Sequence, residues 1–185
     1  MNILIVTQVF YPENFIINNL CNFLVDNGHS VTVITGKPNY PSGKFYKGYG
    51  FFSGIKDNYN GVVIYRLPIF PRGNGSNFSL TLNYISFAII GSIFAFFYRK
   101  KFDFSFVFAV SPITSAFPAI IHKIIYNTKF YLWVLDLWPE SVMAGNRITS
   151  KPILKTLNLI VKFIYRISDR IYISSKFMKN SIEKY

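Results

Sequence analysis

Short unbroken apolar runs alternate along this chain with stretches whose apolar positions recur at helical spacing. Asn2-Ile3-Leu4-Ile5-Val6-Thr7 is a continuous run, the pattern of a strand covered on both faces, as in a parallel sheet. After Tyr11-Pro12-Glu13, the residues Ile16, Ile17, Leu20, Cys21, Phe23 and Leu24 predict a helix, and Asn27-Gly28 supplies its left-handed stop. Ser30-Val31-Thr32-Val33-Ile34-Thr35 then predicts a second strand, which completes a βαβ unit. Val62 to Leu67, Phe104 to Val110, Phe130 to Val134 and Arg170 to Ile173 predict further strands, with helices at about 113–126 and 152–167. Between Gly36 and Asn60 the texture changes to Gly, Pro, Tyr, Lys and Asn, which predicts a long loop region suited to carrying binding groups. The alternation predicts an α/β fold, a Rossmann-like, doubly wound, mostly parallel sheet.

Composition narrows the class. The 185 residues are 51% hydrophobic and 15% charged, which excludes a disordered polyampholyte and leaves one sizeable core. Cys21 is the single cysteine, and no Cys/His cluster has zinc spacing, so neither a disulfide framework nor a structural metal is indicated. Met1 to Phe10 has no basic leader and is followed by Pro12 and Glu13, the reading of a buried strand and of a cytoplasmic protein. Net charge is +12, and it is uneven: six cations stand against three acids in residues 1–95, fourteen against five in residues 96–185. Such a balance favours anionic partners. The cations are scattered among Ile, Phe and Tyr rather than gathered in a basic tract, so no nucleic-acid partner is expected.

Gly73 to Tyr98 contains no charge and is followed at once by Arg99-Lys100-Lys101. Its first half holds Asn74, Ser76, Asn77, Ser79, Thr81 and Asn83, which leaves the uniformly apolar part shorter than a bilayer needs. A helix lying in the membrane interface, its basic end toward anionic lipid, is the favoured expectation; a wholly internal helix and a true span are the alternatives.

Two phosphate signatures fail on spacing. Gly36 to Lys44 has six residues between its glycines where a P-loop has four, and Phe45 stands where Ser or Thr would reach magnesium. Gly73-Asn74-Gly75-Ser76-Asn77-Phe78 lacks one dinucleotide-fingerprint glycine and does not follow the first strand. His29 and His122 read as structural or surface histidines.

The strongest constellation is Trp133 to Ser141, an apolar strand passing directly into Asp136, Trp138, Pro139 and Glu140. Open α/β sheets place ligands at such strand ends. A carboxylate there accepts hydrogen bonds from sugar hydroxyls while indole covers apolar sugar or lipid surface. The same residues also suit a helix start, with Asp136 or Ser141 as cap. Asn39, Tyr40, Ser42 and Lys44 gather an amide, a ring and an ammonium within one loop, and Ser111-Pro112 would be the cap and first residue of a helix. These three loops, each leaving a strand C-terminus, are expected to meet at one cleft.

Together with Tyr11-Pro12-Glu13, Asn27 to Gly36 and Asn83-Tyr84-Ile85-Ser86-Phe87, these motifs follow an order that resembles the N-terminal lobe of family 4 glycosyltransferases. The nearest likeness is to the enzymes related to colanic acid and O-antigen fucosamine transferases. The resemblance runs through Asp169 to Ser175. It implies a two-lobed GT-B architecture and a retaining, metal-independent transfer from a nucleotide sugar, with no resident cofactor. The acceptor it implies is a polyprenyl diphosphate-linked saccharide at the inner face of the cell membrane.

By position, Asp136 would serve catalysis, and Asn39, Tyr40, Ser42, Lys44, Ser111, Trp138 and Glu140 would bind acceptor. Glu13 and Asn14 would form the phosphate-side loop, although they replace the Gly-rich turn common in the family. Residues 1–175 would be the acceptor-side domain and 176–185 the start of a helix toward a donor lobe. That lobe's glutamate-rich region has no counterpart in these residues, so the chain is expected to be inactive alone, a truncated or split enzyme. A non-catalytic membrane-binding module and a nucleotide-dependent oxidoreductase are the rival readings.

Overall fold

A computed structural model describes residues 1–144 and 150–185. Seven strands form one sheet: β1 (Asn2–Val6), β2 (Ser30–Gly36), β3 (Lys56–Tyr59), β4 (Val62–Leu67), β5 (Phe104–Ala109), β6 (Lys129–Val134) and β7 (Arg170–Ile173). Their order is β3-β4-β2-β1-β5-β6-β7, and every pairing is parallel except β3 with β4. Helices α1 (Ile16–Asp26), α2 (Asn77–Phe97), α3 (Phe117–Tyr126), α4 (Glu140–Ala144), α5 (Lys151–Ile167) and α6 (Lys176–Ile182) complete the α/β fold.

The alternation of side chains along each strand divides the core in two. Ile3 and Ile5 of β1 pack with Ile17 and Cys21 of α1 on one face. Leu4 and Val6 turn to the other face, where Phe87 of α2, Ile120 of α3 and Ile164 of α5 cover them. Both faces are apolar in the central strands, which is why those strands read as unbroken runs.

Two expectations are corrected. The stretch from Gly36 to Asn60 is not loop throughout, because Lys56–Tyr59 forms the edge strand β3, antiparallel to β4. Asn60 and Gly61 both have positive φ, 49° and 82°, the backbone of a two-residue hairpin turn. The Asn-Gly pair carried this signal, but the polar strand beside it, an edge exposed to water, has no apolar period to announce it. Second, Ser111 does not cap a helix. The segment after β5 begins as a 3-10 turn, Ile113–Ala116, whose N-cap is Pro112 with no side-chain hydrogen bond. The α-helix starts only at Phe117, with Pro118 in its first turn. The helix expected within 73–98 is present and begins at Asn77, where the Ser76 hydroxyl accepts the Ser79 N–H at 3.3 Å.

Helix α2 is long and apolar enough to cross a membrane by length and composition, yet one of its faces is packed in the protein. Leu80, Asn83, Phe87, Gly91 and Ala95 are buried. At Gly91 a Cβ would lie 2.6 Å from the Pro118 ring, so the missing side chain is what lets α2 and α3 approach. The opposite face, carrying Phe78, Ile85, Ile89, Ile93 and Phe97, is exposed.

Candidate functional site

A cleft of about 290 Å³ opens at the C-terminal edge of the parallel strands. Ser111 follows β5 and Asp136 and Trp138 follow β6, so two adjacent strands deliver one wall. The N-terminal turns of α2 deliver the other through Leu80, Thr81 and Tyr84, with Arg72 from the loop that precedes the helix.

Sheet register explains the first wall. Ala109 of β5 pairs with Val134 of β6, so both chains leave the sheet at the same level. The Leu135 N–H still donates to the Ala109 carbonyl at 3.1 Å, which holds the loops together one step beyond the strands. Trp138 then folds back, nearly buried, and its indole Nε1–H donates to the Ser111 hydroxyl at 3.3 Å. Its ring meets Tyr84 edge-on at 6.3 Å between centroids, which joins the two walls. Asp136, half-buried, is left at the cleft surface as an acceptor.

Glu140 Oε2, Ser141 Oγ and Tyr165 Oη are buried and have no hydrogen-bond partner among the described residues. Burial first, and then the nearby Glu140, Tyr185 and Asp136, push the Tyr165 hydroxyl well above its ordinary pKa, so it stays a neutral donor. Buried polar groups are satisfied in nearly all folded proteins, and of these three Ser141 lines the cleft, where its hydroxyl can meet a polar ligand.

The other wall is built on Arg72. Its backbone N–H donates to Asn39 Oδ1 at 3.0 Å, and its carbonyl accepts the Ser79 hydroxyl at 2.8 Å. Its guanidinium lies over the rings of Tyr40 at 5.6 Å and Tyr84 at 5.7 Å, a cation held between two aromatic faces. Among the described residues it forms no ion pair.

The expected site residues therefore separate into groups. Asp136, Trp138 and Ser111 line the cleft, and Glu140 opens α4 just beyond it. Asn39 is buried and engaged in structural bonds, since its amide nitrogen donates to the Lys37 carbonyl at 2.7 Å while its oxygen holds Arg72. Tyr40 reaches the cleft only as the ring beneath Arg72. Ser42 and Lys44 are exposed and do not line the cleft; the Ser42 hydroxyl bonds the Lys44 backbone. Of the three loops expected to converge, the two after β5 and β6 do so, and the loop after β2 arrives through its contacts with Arg72.

Glu13 is almost wholly buried and points into protein. One carboxylate oxygen accepts the N–H groups of Asn39 at 2.8 Å and Tyr40 at 2.6 Å, and the other accepts that of Phe10 at 3.3 Å. Burial holds this carboxyl above its ordinary value, an effect that the three N–H donors and the Arg66 charge offset only in part. Asn14 is exposed and does not line the cleft. Lys37 is buried as well, its ammonium donating to the Ser53 carbonyl. Arg72, Tyr84 and Thr81 are among the lining residues that sequence reasoning missed. The available signal was Arg72 itself, a lone cation between Pro71 and Gly73 at the start of the long uncharged segment.

Among the described residues no group of three or more His, Cys, Asp or Glu side chains could hold a metal ion. No protein-family model and no curated protein matches the chain.

Proposed function

We propose that this chain is the acceptor-binding lobe of a retaining glycosyltransferase, which moves a sugar from a nucleotide sugar to a membrane lipid-linked saccharide in surface polysaccharide synthesis. The observation that carries the reading is the cleft at the C-terminal sheet edge, in which a carboxylate, Asp136, shares a 290 Å³ space with Trp138 and Tyr84. Saccharides are recognised by this pairing, acceptors for their hydroxyls beside ring faces for their C–H surfaces. Asp136 receives the acceptor hydroxyl or contacts the donor sugar, and Trp138 and Glu140 support the cleft. A second lobe grips the donor nucleotide, so this lobe alone does not turn over.

The membrane part of the reading draws on α2. The helix that supplies the cleft's second wall exposes Phe78, Ile85, Ile89, Ile93 and Phe97 on its outer side and is followed by the exposed Arg99 and Lys101. An apolar face ending in cations suits the inner surface of an anionic bilayer.

The test is a transfer assay with nucleotide sugars and membranes that carry polyprenyl diphosphate-linked saccharides. The expected outcome is no transfer by the 185 residues alone and transfer when a donor-binding lobe is co-expressed. Asp136→Asn should then lower turnover by about 100-fold or more, the scale of losing a positioned acid-base group. Robust turnover without a second lobe, or turnover indifferent to Asp136→Asn, contradicts the proposal. Vesicle binding that persists while no lobe restores transfer would instead favour a non-catalytic membrane module.

A further inference from the structure

Resting on the acceptor-lobe reading, the geometry points to Arg72 as the anchor of a diphosphate group, with the N-terminus of α2 as its second contact. Four observations converge. The guanidinium lines the cleft and, among the described residues, has no carboxylate partner, although the same cleft contains one in Asp136. It is preorganised, held between Tyr40 and Tyr84 with both backbone groups of Arg72 tied down. The first turn of α2, which lines the cleft beside it, contains no acidic residue. And α2 is a helix of 21 residues whose first turn lines the same space through Asn77 and Leu80, so the positive end of a long peptide dipole borders it.

Charge separation across the cleft gives the ligand a direction. The cationic end belongs to Arg72 and the α2 terminus, and the anionic end belongs to Asp136. A ligand with a phosphate at one end and hydroxyls at the other fits this polarity, whereas one with hydroxyls alone leaves the arginine unused. Planar guanidinium donors match phosphate oxygens in pairs, which a lysine cannot reproduce. The carrier diphosphate of a lipid-linked saccharide has the required chemistry, and α2 exposes its apolar Phe78, Ile85 and Ile89 on the same element. The diphosphate of a donor nucleotide has the same chemistry and is the other possible source.

The test is titration calorimetry of the 185-residue chain with inorganic pyrophosphate, farnesyl diphosphate and uridine diphosphate, on wild type, Arg72→Gln, Arg72→Lys and Lys44→Ala. Circular dichroism establishes that each variant is folded, and the lysine variant retains the charge should glutamine perturb the loop. The expected result is pyrophosphate affinity reduced at least tenfold by Arg72→Gln, reduced less by Arg72→Lys, and changed less than twofold by Lys44→Ala. Farnesyl diphosphate binding tighter than uridine diphosphate supports the assignment with the lipid carrier as source, and the reverse order supports it with the nucleotide as source. Absence of pyrophosphate binding, or equal binding by wild type and Arg72→Gln, overturns it. Arg72-dependent binding in a chain that no second lobe can activate would leave the anchor standing and remove the glycosyltransferase reading alone. Normal transfer with pyrophosphate binding indifferent to Arg72 would remove the anchor alone.

Discussion

The Gly73 N–H donates to the Gly43 carbonyl at 2.9 Å, and a Cβ built on Gly43 would stand 1.8 Å from the Gly73 carbonyl oxygen. Gly43 also has φ +74°, a conformation that side chains rarely adopt. These two glycines fasten the loop after β2 to the loop before α2, and Arg72 is the residue next to the fastening. The long spacing of Asn39 to Lys44 from the cleft residues in sequence is bridged at this point.

Gly43→Ala should therefore loosen the loop that presents Arg72. The expected cost is about 1–3 kcal/mol of stability for a strained backbone position with a backbone clash. Urea unfolding measures it, and pyrophosphate affinity should fall in parallel. An alanine variant with unchanged midpoint and affinity would show that the contact does not constrain the site.

Glu13 performs a related task from the other side of the same loop. Its carboxylate receives three backbone N–H groups, two of them from Asn39 and Tyr40. Glu13→Gln replaces an acceptor oxygen by an amide donor in a site lined with donors, and should cost about 1–3 kcal/mol. Denaturant titration reads the loss. Stability equal to wild type, together with loss of diphosphate binding, would instead make Glu13 a ligand-contacting group.

His122 gives a pH dependence that does not involve the cleft. It is fully buried, with Nδ1 2.9 Å from the Thr128 hydroxyl and Nε2 3.2 Å from the Lys100 carbonyl. Burial lowers its pKa below the ordinary value, against the opposing pull of the Lys100 and Tyr98 carbonyls. The unfolded chain therefore takes up this proton first as pH falls. The stabilising contribution is full above about pH 6.5 and is lost progressively below it. Unfolding midpoints measured from pH 8 to 5 should decline on the acid side for wild type and decline less for His122→Gln; equal slopes would contradict the assignment.

How much of this was readable beforehand follows from what each signal reports. The six strands other than β3 declared themselves by their apolar residues, most plainly β1 and β2, in which every residue after the first is buried, and the helices α3 and α5 fell near their expected positions. Edge strand β3 did not, since Lys56-Asp57-Asn58-Tyr59 is stabilised by pairing with β4 and by Asp57 at 3.1 Å from Arg66, neither of which is periodic in sequence. In the site, Asp136, Trp138 and Ser111 were legible because strand ends position them directly. Lys44 and Arg72 are both loop cations near glycine, and local sequence does not distinguish them. The distinction comes from tertiary packing: Arg72 lies between two tyrosine rings and lines the cleft, whereas Lys44 is exposed outside its lining.

The most direct measurement is photocrosslinking of the chain by a polyprenyl diphosphate-linked saccharide with a photoreactive group on its terminal sugar, followed by peptide mapping. The account predicts labelling of peptides that contain Tyr84, Ser111 or Trp138, competed by the unmodified lipid-linked saccharide and reduced by Asp136→Asn. Labelling confined to other surfaces, such as the exposed Tyr172 of β7, or labelling that competitor and Asp136→Asn leave unchanged, would contradict it.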